Sequence, residues 1–198
     1  MKRTERIYTG QTKKATNVDS LQPYNLKGSI HKVSKASVFV AREKDLMWSC
    51  QNPNYLSIDS NEKACKILKE YHEHYQTFTF KLDKIKSGLQ SNAIVHLIDL
   101  SGTNQKDIAH LLSLSEPTIR KYIKEGKHLN TGLSEHILEL FELYEKGMDT
   151  FGSLEEFRNW LPHYNSGIER RPIDLLDTIT GIRVVMDELT RIDHGILA

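Results

Sequence analysis

The nine histidines are the residues best suited to catalysis or metal binding, but only His72 and His74 lie close together in the chain. They are flanked by Glu70 and Glu73 in a segment with helical periodicity. Side chains two positions apart on a helix point in different directions, which is poor geometry for one shared metal ion. No nucleophile pair, phosphate-binding glycine loop or paired-carboxylate signature stands out. The sequence therefore predicts no metal, no cofactor and no catalytic residue, and it favours a binding protein over an enzyme.

Length and composition favour a folded protein of one large or two small domains. The chain has 198 residues, of which 38% are hydrophobic and 27% are charged. No apolar run reaches the roughly 18 residues of a membrane span, and the basic N-terminus lacks the apolar core of a secretory signal. Two scattered cysteines, Cys50 and Cys65, favour free thiols in a reducing compartment, with one disulfide between them left open. These features together predict a cytoplasmic protein without a membrane partner.

Charge is unevenly distributed along the chain. Residues 1–60 hold 10 Lys/Arg and 5 Asp/Glu, a net charge of +5, whereas residues 61–145 hold 11 and 12, a net charge of −1. Residues 146–198 hold 6 and 9, a net charge of −3. A basic N-terminal part and an acidic C-terminal part indicate different partners at the two ends of the chain. The alternative is that the charges are distributed by chance.

The apolar pattern predicts a mainly α fold. Residues 1–60 read as a basic, partly flexible extension with a short β-like run at residues 37–41. From residue 61 apolar residues recur at helical spacing, and they indicate a helical region over residues 61–147 and a small α-helical domain over residues 148–198. Three glycines are predicted to end helices and a fourth is predicted to open the last one; these are Gly126, Gly147, Gly195 and Gly181.

Residues 104–124 have the pattern of a helix-turn-helix. Ala109 provides the small residue that two crossing helices need, and a tight turn follows four residues later at Ser113. Leu114 would pack into the core, and Ile119 would anchor the second helix. The segment resembles the Xre/Cro-like helix-turn-helix family, except that Ser113 stands where glycine is usual. A left-handed turn costs serine more than glycine, so the turn is expected to be slightly altered.

In this register one set of side chains faces the major groove of DNA: Ser115, Glu116, Pro117, Arg120 and Lys121. Gln105 is expected to contact a phosphate or to brace the second helix, and Lys124 and Lys127 are expected to lie near the DNA backbone. Glu116 could accept a hydrogen bond from a cytosine amino group, but it would repel phosphates. The alternative is a helical hairpin that only contributes to a core.

The last 50 or so residues carry a second series of characteristic residues. They are Phe151-Gly152, Trp160-Leu161, Asn165, Arg171-Pro172, Leu175-Leu176, Thr178, Gly181, Val185, Leu189, Ile192, His194-Gly195 and Ala198. In order and spacing they resemble the toxin-binding domain of the Xre/MbcA/ParS-type antitoxins, which follows a helix-turn-helix in that family. The resemblance covers roughly residues 80–198.

The resemblance implies two activities. The partner would be a RES-domain toxin that degrades NAD, and the C-terminal domain would neutralise the toxin by covering its active-site cleft. The family also represses its own operon by binding operator double-stranded DNA, commonly as a homodimer, which implies a bacterial cytoplasmic protein. The alternatives are a stand-alone repressor without a toxin partner and a helical scaffold that binds no nucleic acid.

The residues expected to contact the toxin are Arg171, Asp193, His194, Gly195, Ile196, Leu197 and Ala198. Apolar Ile196 and Leu197 follow directly after a helix end, and with the nearby carboxylates they would form a small wedge for a cationic cleft. In the alternative, Ile196 and Leu197 fold back onto the domain. The larger apolar residues of the segment are expected to be core: Trp160, Leu175, Leu176, Val185 and Leu189.

Overall fold

The computed structural model describes residues 59–195, and the predicted extension lies almost wholly outside them. The described residues are helical and contain no named strand, which confirms the prediction of a mainly α fold. The helices in chain order are α1 (Asp59–Tyr75), α2 (Phe78–Ser87), α3 (Asn92–Ser101), α4 (Gln105–Leu111), α5 (Glu116–Glu125), α6 (Thr131–Phe151), α7 (Leu154–Trp160), a 3₁₀ helix (Pro172–Leu175) and α8 (Ile179–Asp193).

Helix α6 is the centre of the fold. It packs against α1, α2, α3, α7 and α8, so it is buried on several sides. A helix in this position cannot keep a single apolar stripe, and its sequence is apolar around most of its circumference. Its fully buried side chains include Ile137, Leu138, Leu140, Phe141 and Leu143. One hydrophobic core therefore extends from α1 to α8. The domain boundary predicted at residues 147 and 148 falls near the end of α6, and that division stays a prediction.

Polar side chains begin most of these helices. Asn104, Ser115, Asn130, Ser153 and Thr178 each accept a hydrogen bond from the backbone N–H of the third helical residue. Such caps satisfy donors that a helix leaves unpaired at its first turn, and each stabilises the helix by about 1 kcal/mol. The caps fix where the short helices α4, α5 and α7 start.

Two of the four helix-ending or helix-opening predictions need correction. Helix α6 does not end at Gly147 but continues to Phe151, because Gly147 is a site of close packing against the Phe157 ring and has a helical conformation. Gly152 ends the helix instead, with a left-handed φ of 82°. Helix α8 begins at Ile179, two residues before Gly181. Gly126 and Gly195 follow α5 and α8 in left-handed conformations, as predicted.

Cys65 is buried on α1 and takes part in a disulfide, so the favoured interpretation of free thiols is wrong for this residue. Cys50 and the predicted β-like run at residues 37–41 lie outside the described residues. No helix between residues 59 and 195 is both long and apolar enough to cross a bilayer.

A buried polar cluster joins α1 to α6. The Tyr75 hydroxyl donates to the Glu145 carboxylate, and His72 Nδ1 lies 2.7 Å from the other oxygen of that carboxylate. Burial raises the pKa of Glu145, while the hydrogen bonds from Tyr75 and His72 act in the opposite direction. His72 is thus a structural partner of Glu145. Among the described residues no group of three or more His, Cys, Asp or Glu has the arrangement of a metal site.

Two glycines of α6 provide a matched test of this packing. Gly147→Ala would place a methyl group inside the contact radius of the fully buried Phe157 ring. We expect this substitution to lower the free energy of unfolding by about 2–3 kcal/mol, as other overpacked cores do. Gly132→Ala is the control, because its new methyl would lie 3.6 Å from the nearest atom, Asn130 Oδ1. It should raise stability by about 0.5–1 kcal/mol through helix propensity. Urea denaturation followed by circular dichroism measures both, and equal effects of the two changes would contradict the close packing at Gly147.

Candidate nucleic-acid and toxin interfaces

The turn between α4 and α5 has the geometry of a helix-turn-helix. Ala109 is buried at the contact, and Ile119 of α5 is fully buried. Ser113 has a left-handed φ of 53°, and the Leu114 N–H donates to the Ala109 carbonyl at 2.8 Å. The expectation of an altered turn is therefore wrong in one respect: serine adopts the left-handed conformation that glycine usually supplies. Leu114 is partly buried and packs against the core, as predicted.

Helix α5 presents a polar, largely exposed face. Pro117, Arg120, Lys121 and Lys124 are exposed, while Glu116 is half-buried. Ser115 accepts a hydrogen bond from the Thr118 N–H at 3.3 Å, so its side chain is used as a cap. The predicted contact residues therefore share one end or face of α5. Their role in DNA binding stays a prediction.

The charges on this face are partly paired within the chain. Arg120 forms an ion pair with Glu116, one turn earlier on α5. Lys127 pairs with Glu125 at 2.8 Å. Lys121 and Lys124 form no ion pair within residues 61–195. A phosphate would therefore meet these two lysines directly, whereas Arg120 must first exchange its carboxylate partner.

Gln105 occupies the first position of α4 and is half-buried. Its Nε2 atom is buried and has no hydrogen-bond partner within the described part of the chain. Leaving a buried amide donor unpaired costs about 1–3 kcal/mol. The structure gives Gln105 Nε2 no hydrogen bond that braces α5.

The apolar residues of the C-terminal segment form its core. Phe151, Phe157 and Trp160 pack as a group of aromatic rings with centroids 5.2–6.2 Å apart. Leu176, Val185 and Leu189 are buried, and Trp160 and Leu175 are partly buried against the same core. The core interpretation of these five residues agrees with their positions.

A buried carboxylate, which the sequence pattern did not single out, shapes the loop before the 3₁₀ helix. Glu188 of α8 accepts a hydrogen bond from Asn165 Nδ2 at 3.0 Å and pairs with Arg191 at 3.1 Å. Asn165 Oδ1 accepts hydrogen bonds from the Gly167 and Ile168 N–H groups. A Cβ on Gly167 would lie 2.6 Å from the Glu188 carboxylate, so any other residue there would have to displace that carboxylate from its place beside Asn165. Asn165 was noted only for its position in the family pattern, and the structure shows that it ties this loop to α8.

The residues expected to contact the toxin lie at two places. Arg171 is exposed just before the 3₁₀ helix, where it makes a two-point ion pair with Asp174 at 2.7 and 2.8 Å. Asp193 and His194 lie at the C-terminal end of α8, and Asp193 pairs with Lys146 of α6. The 15 residues of α8 place its two ends about 20 Å apart. Ile196, Leu197 and Ala198 lie outside the described residues, so the wedge stays a prediction.

Arg158 joins the C-terminal segment to the helices before the helix-turn-helix, and sequence reasoning missed it. From α7 its Nε donates to the Leu100 carbonyl at 2.8 Å, and its Nη2 donates to the Asp99 carbonyl. These carbonyls end α3, where a cation is favoured by the helix dipole. Gly102 leaves room for the guanidinium, since a Cβ there would lie 3.0 Å from Arg158 Cζ. Burial lowers the pKa of Arg158, and neighbouring Tyr144 and Asp99 oppose that effect.

Comparisons with known proteins agree with this arrangement. A family model described as the antitoxin Xre-like helix-turn-helix domain matches residues 82–142. A second, described as the antitoxin Xre/MbcA/ParS C-terminal toxin-binding domain, matches residues 146–195. The "Prs ADP-ribosylating antitoxin" of Sphingobium sp. (strain YBL2) is 30% identical over 128 residues, which is 60% of this chain and 80% of that protein.

The helix-turn-helix and the segment that follows it thus define an antitoxin with two recognition modules. The chain belongs to the Xre/MbcA/ParS family of antitoxins. A toxin is the partner that the matched C-terminal domain implies.

Ser113→Gly tests the turn of the helix-turn-helix. A left-handed conformation costs a residue with a Cβ about 1–2 kcal/mol, part of which glycine loses through its greater freedom in the unfolded chain. We expect the free energy of unfolding to rise by about 0.5–1 kcal/mol. Ser87→Gly is the control at an exposed helical position, and it should lower stability by a similar amount. If Ser113→Gly is destabilising in urea titrations, the turn is not strained at Ser113.

Proposed function

We propose that this antitoxin neutralises a RES-domain toxin that consumes NAD, and that it represses its own operon by binding operator DNA. The observation that carries the proposal is the joining of a toxin-binding domain at residues 146–195 to a helix-turn-helix with an exposed basic face. Both activities would take place in the bacterial cytoplasm, where the operon and the NAD pool are accessible. The repressing form would be a homodimer, which matches the two-fold symmetry of operators.

Neutralisation would use residues 193–198. Asp193 ends α8 and is held by Lys146, so the following residues start from a fixed point on α6. His194 and Gly195 are exposed there. Ile196 and Leu197 would enter the substrate cleft of the toxin, and Arg171, at the start of the 3₁₀ helix, would contact the toxin separately.

The chemistry of the toxin has two candidates. NAD degradation is the activity that the family resemblance implies. Transfer of ADP-ribose from NAD to a protein is favoured by the name of the Sphingobium relative, which refers to ADP-ribosylation. An enzyme that catalyses either reaction must bind NAD, so covering its active-site cleft would block either reaction.

DNA binding would use the exposed face of α5. Lys121 and Lys124 would contact phosphates, and Arg120 would reach a base edge after leaving Glu116. Gln105 would contact a phosphate only after its side chain turns the buried Nε2 outward at the start of α4. Ser115 and Pro117 would lie against the DNA groove at the start of α5. Because Glu116 shares this face, its carboxylate would either accept a hydrogen bond from a cytosine amino group or repel nearby phosphates.

The toxin partner is tested by co-purification. The tagged full-length chain is co-expressed with the neighbouring genes, and the captured protein is assayed for loss of NAD and for ADP-ribosylation of proteins. We expect a stable complex that is inactive and becomes active when the antitoxin is removed. A chain that captures no NAD-consuming protein but still represses its promoter would support the stand-alone repressor instead.

Deleting residues 196–198 tests the covering mechanism. The deletion leaves the Lys146–Asp193 ion pair in place, so the melting temperature should stay the same. We expect inhibition of the captured toxin to weaken at least tenfold. Val184→Glu on the exposed side of α8 is a control that alters the same helix without touching its end. Full inhibition by the truncated chain would disprove the wedge.

Substitutions on α5 test DNA binding separately. Arg120→Ala should weaken operator binding about tenfold and relax base preference, while Lys121→Ala should weaken binding to all sequences and reduce the salt dependence. Glu116→Gln frees Arg120 and removes a phosphate-repelling charge, so it should strengthen non-specific DNA binding several-fold. Fluorescence anisotropy at several salt concentrations measures these effects. Equal loss of toxin inhibition in the α5 variants would argue against separate interfaces.

A further inference from the structure

A groove of about 550 Å³ lies between the helix-turn-helix and the toxin-binding segment. Ile108 and Leu111 of α4 lie on one side, and Leu161, Ile173 and Leu176 lie on the other. Its lining is mainly apolar, and Ile173 is 39% exposed at its edge. Ile108, Leu161 and Leu176 are buried beneath it, so the apolar surface that a partner could reach is mainly that of Ile173 and Leu111. An apolar groove with polar groups at its rim is typical of a surface that receives a partner's side chain.

The two sides of the groove are held in fixed positions. Arg158 lines the groove and binds the end of α3 from α7 through the Leu100 and Asp99 carbonyls. On the C-terminal side, His136 Nε2 of α6 donates to the Leu176 carbonyl at 2.8 Å. The groove therefore exists before a partner arrives, which lowers the entropic cost of binding.

The unpaired charges at the rim of the groove are negative. The cations Arg171 and Arg158 are already satisfied, by Asp174 and by backbone carbonyls respectively. Asp107 of α4 and Asp177 at the start of α8 are exposed and line the groove on its two sides. Neither carboxylate forms an ion pair with any other residue between 61 and 195. The groove thus offers two free negative charges around an apolar floor.

We propose that this groove is a second docking site for the toxin, and that it receives a toxin segment with an apolar side chain flanked by Lys or Arg. The inference rests on the proposed function and extends it to a separate surface. The residues on the C-terminal side of the groove, such as Ile173 and Asp177, belong to the matched toxin-binding domain, so this side of the groove is part of the domain whose partner is a toxin. The free Asp107 and Asp177 favour a basic segment by charge complementarity.

The groove lies far from the C-terminal end of α8, so it would contact a different part of the toxin. Asp177 lies at the start of α8, about 20 Å from Asp193 at its other end. A toxin that uses both places is held at two points, which raises its affinity beyond either contact alone. The groove also places α4 of the helix-turn-helix in contact with the toxin. Toxin occupancy would then be sensed directly by the DNA-binding module.

The first test uses the captured toxin and full-length variants. Asp107→Asn/Asp177→Asn and Ile173→Glu should each weaken toxin binding at least tenfold in biolayer interferometry, and the loss in the double variant should shrink at high salt. The charge-matched control is Asp83→Asn/Glu73→Gln, which removes two exposed carboxylates elsewhere. Val95→Glu controls for Ile173→Glu, because Val95 is 38% exposed outside the groove. Both controls should bind within twofold of the wild type.

Hydrogen exchange of the unaltered chain gives a second readout that does not depend on variant stability. Adding toxin should slow exchange in peptides covering residues 105–112 and 171–178. If the groove variants bind normally while deletion of residues 196–198 abolishes binding, the groove is not a toxin contact and the proposed function still stands. If the same peptides exchange equally slowly with and without toxin, the proposal is overturned in favour of an occupant from the chain itself. If their exchange without toxin slows as the concentration of the antitoxin rises, the groove is assigned to a second copy of the chain.

Discussion

The packing of α6 is the constraint on which the rest of the structure depends. This one helix buries side chains against five others, so the helix-turn-helix and the toxin-binding segment share a core instead of each building its own. Gly147 is a point of close packing on this helix, since it allows the Phe157 ring to reach the α6 backbone. A small chain gains buried area in this way, and the two recognition modules become parts of one compact unit.

Internal ion pairing is a common property of the proposed interfaces. Arg120 is paired with Glu116, Arg171 with Asp174, and Asp193 with Lys146. Each pair must be exchanged or bound as a unit when a partner arrives, and exposed pairs of this kind contribute only about 0–1 kcal/mol, so exchange is inexpensive. Four groups lack such partners among the described residues: Lys121, Lys124, Asp107 and Asp177. In the proposed interfaces they would decide the sign of charge that each surface attracts, which is negative at α5 and positive at the groove.

Periodicity and local turn chemistry predicted the helix-turn-helix well. Its key positions are set by local requirements. Close helix crossing needs a small residue at Ala109, burial needs an apolar residue at Ile119, and the left-handed end of the helix needs glycine at Gly126. Each requirement can be recognised within a few residues of sequence. Gly147 shows where such reasoning fails. A glycine that ends a helix and a glycine that admits a distant ring look alike in sequence, because the ring comes from Phe157 ten residues later.

The sequence by itself determined the class of the protein, its mainly helical fold and the order of its two modules, because these follow from residue types at short, regular spacing. Only the tertiary structure decided the contacts between modules. Arg158 reaches the end of α3 across more than 50 residues, Glu188 meets Asn165, and Asp107 comes to face Asp177 across a groove. Such pairings depend on how helices pack around α6, and packing geometry is set by the whole core and not by any local pattern.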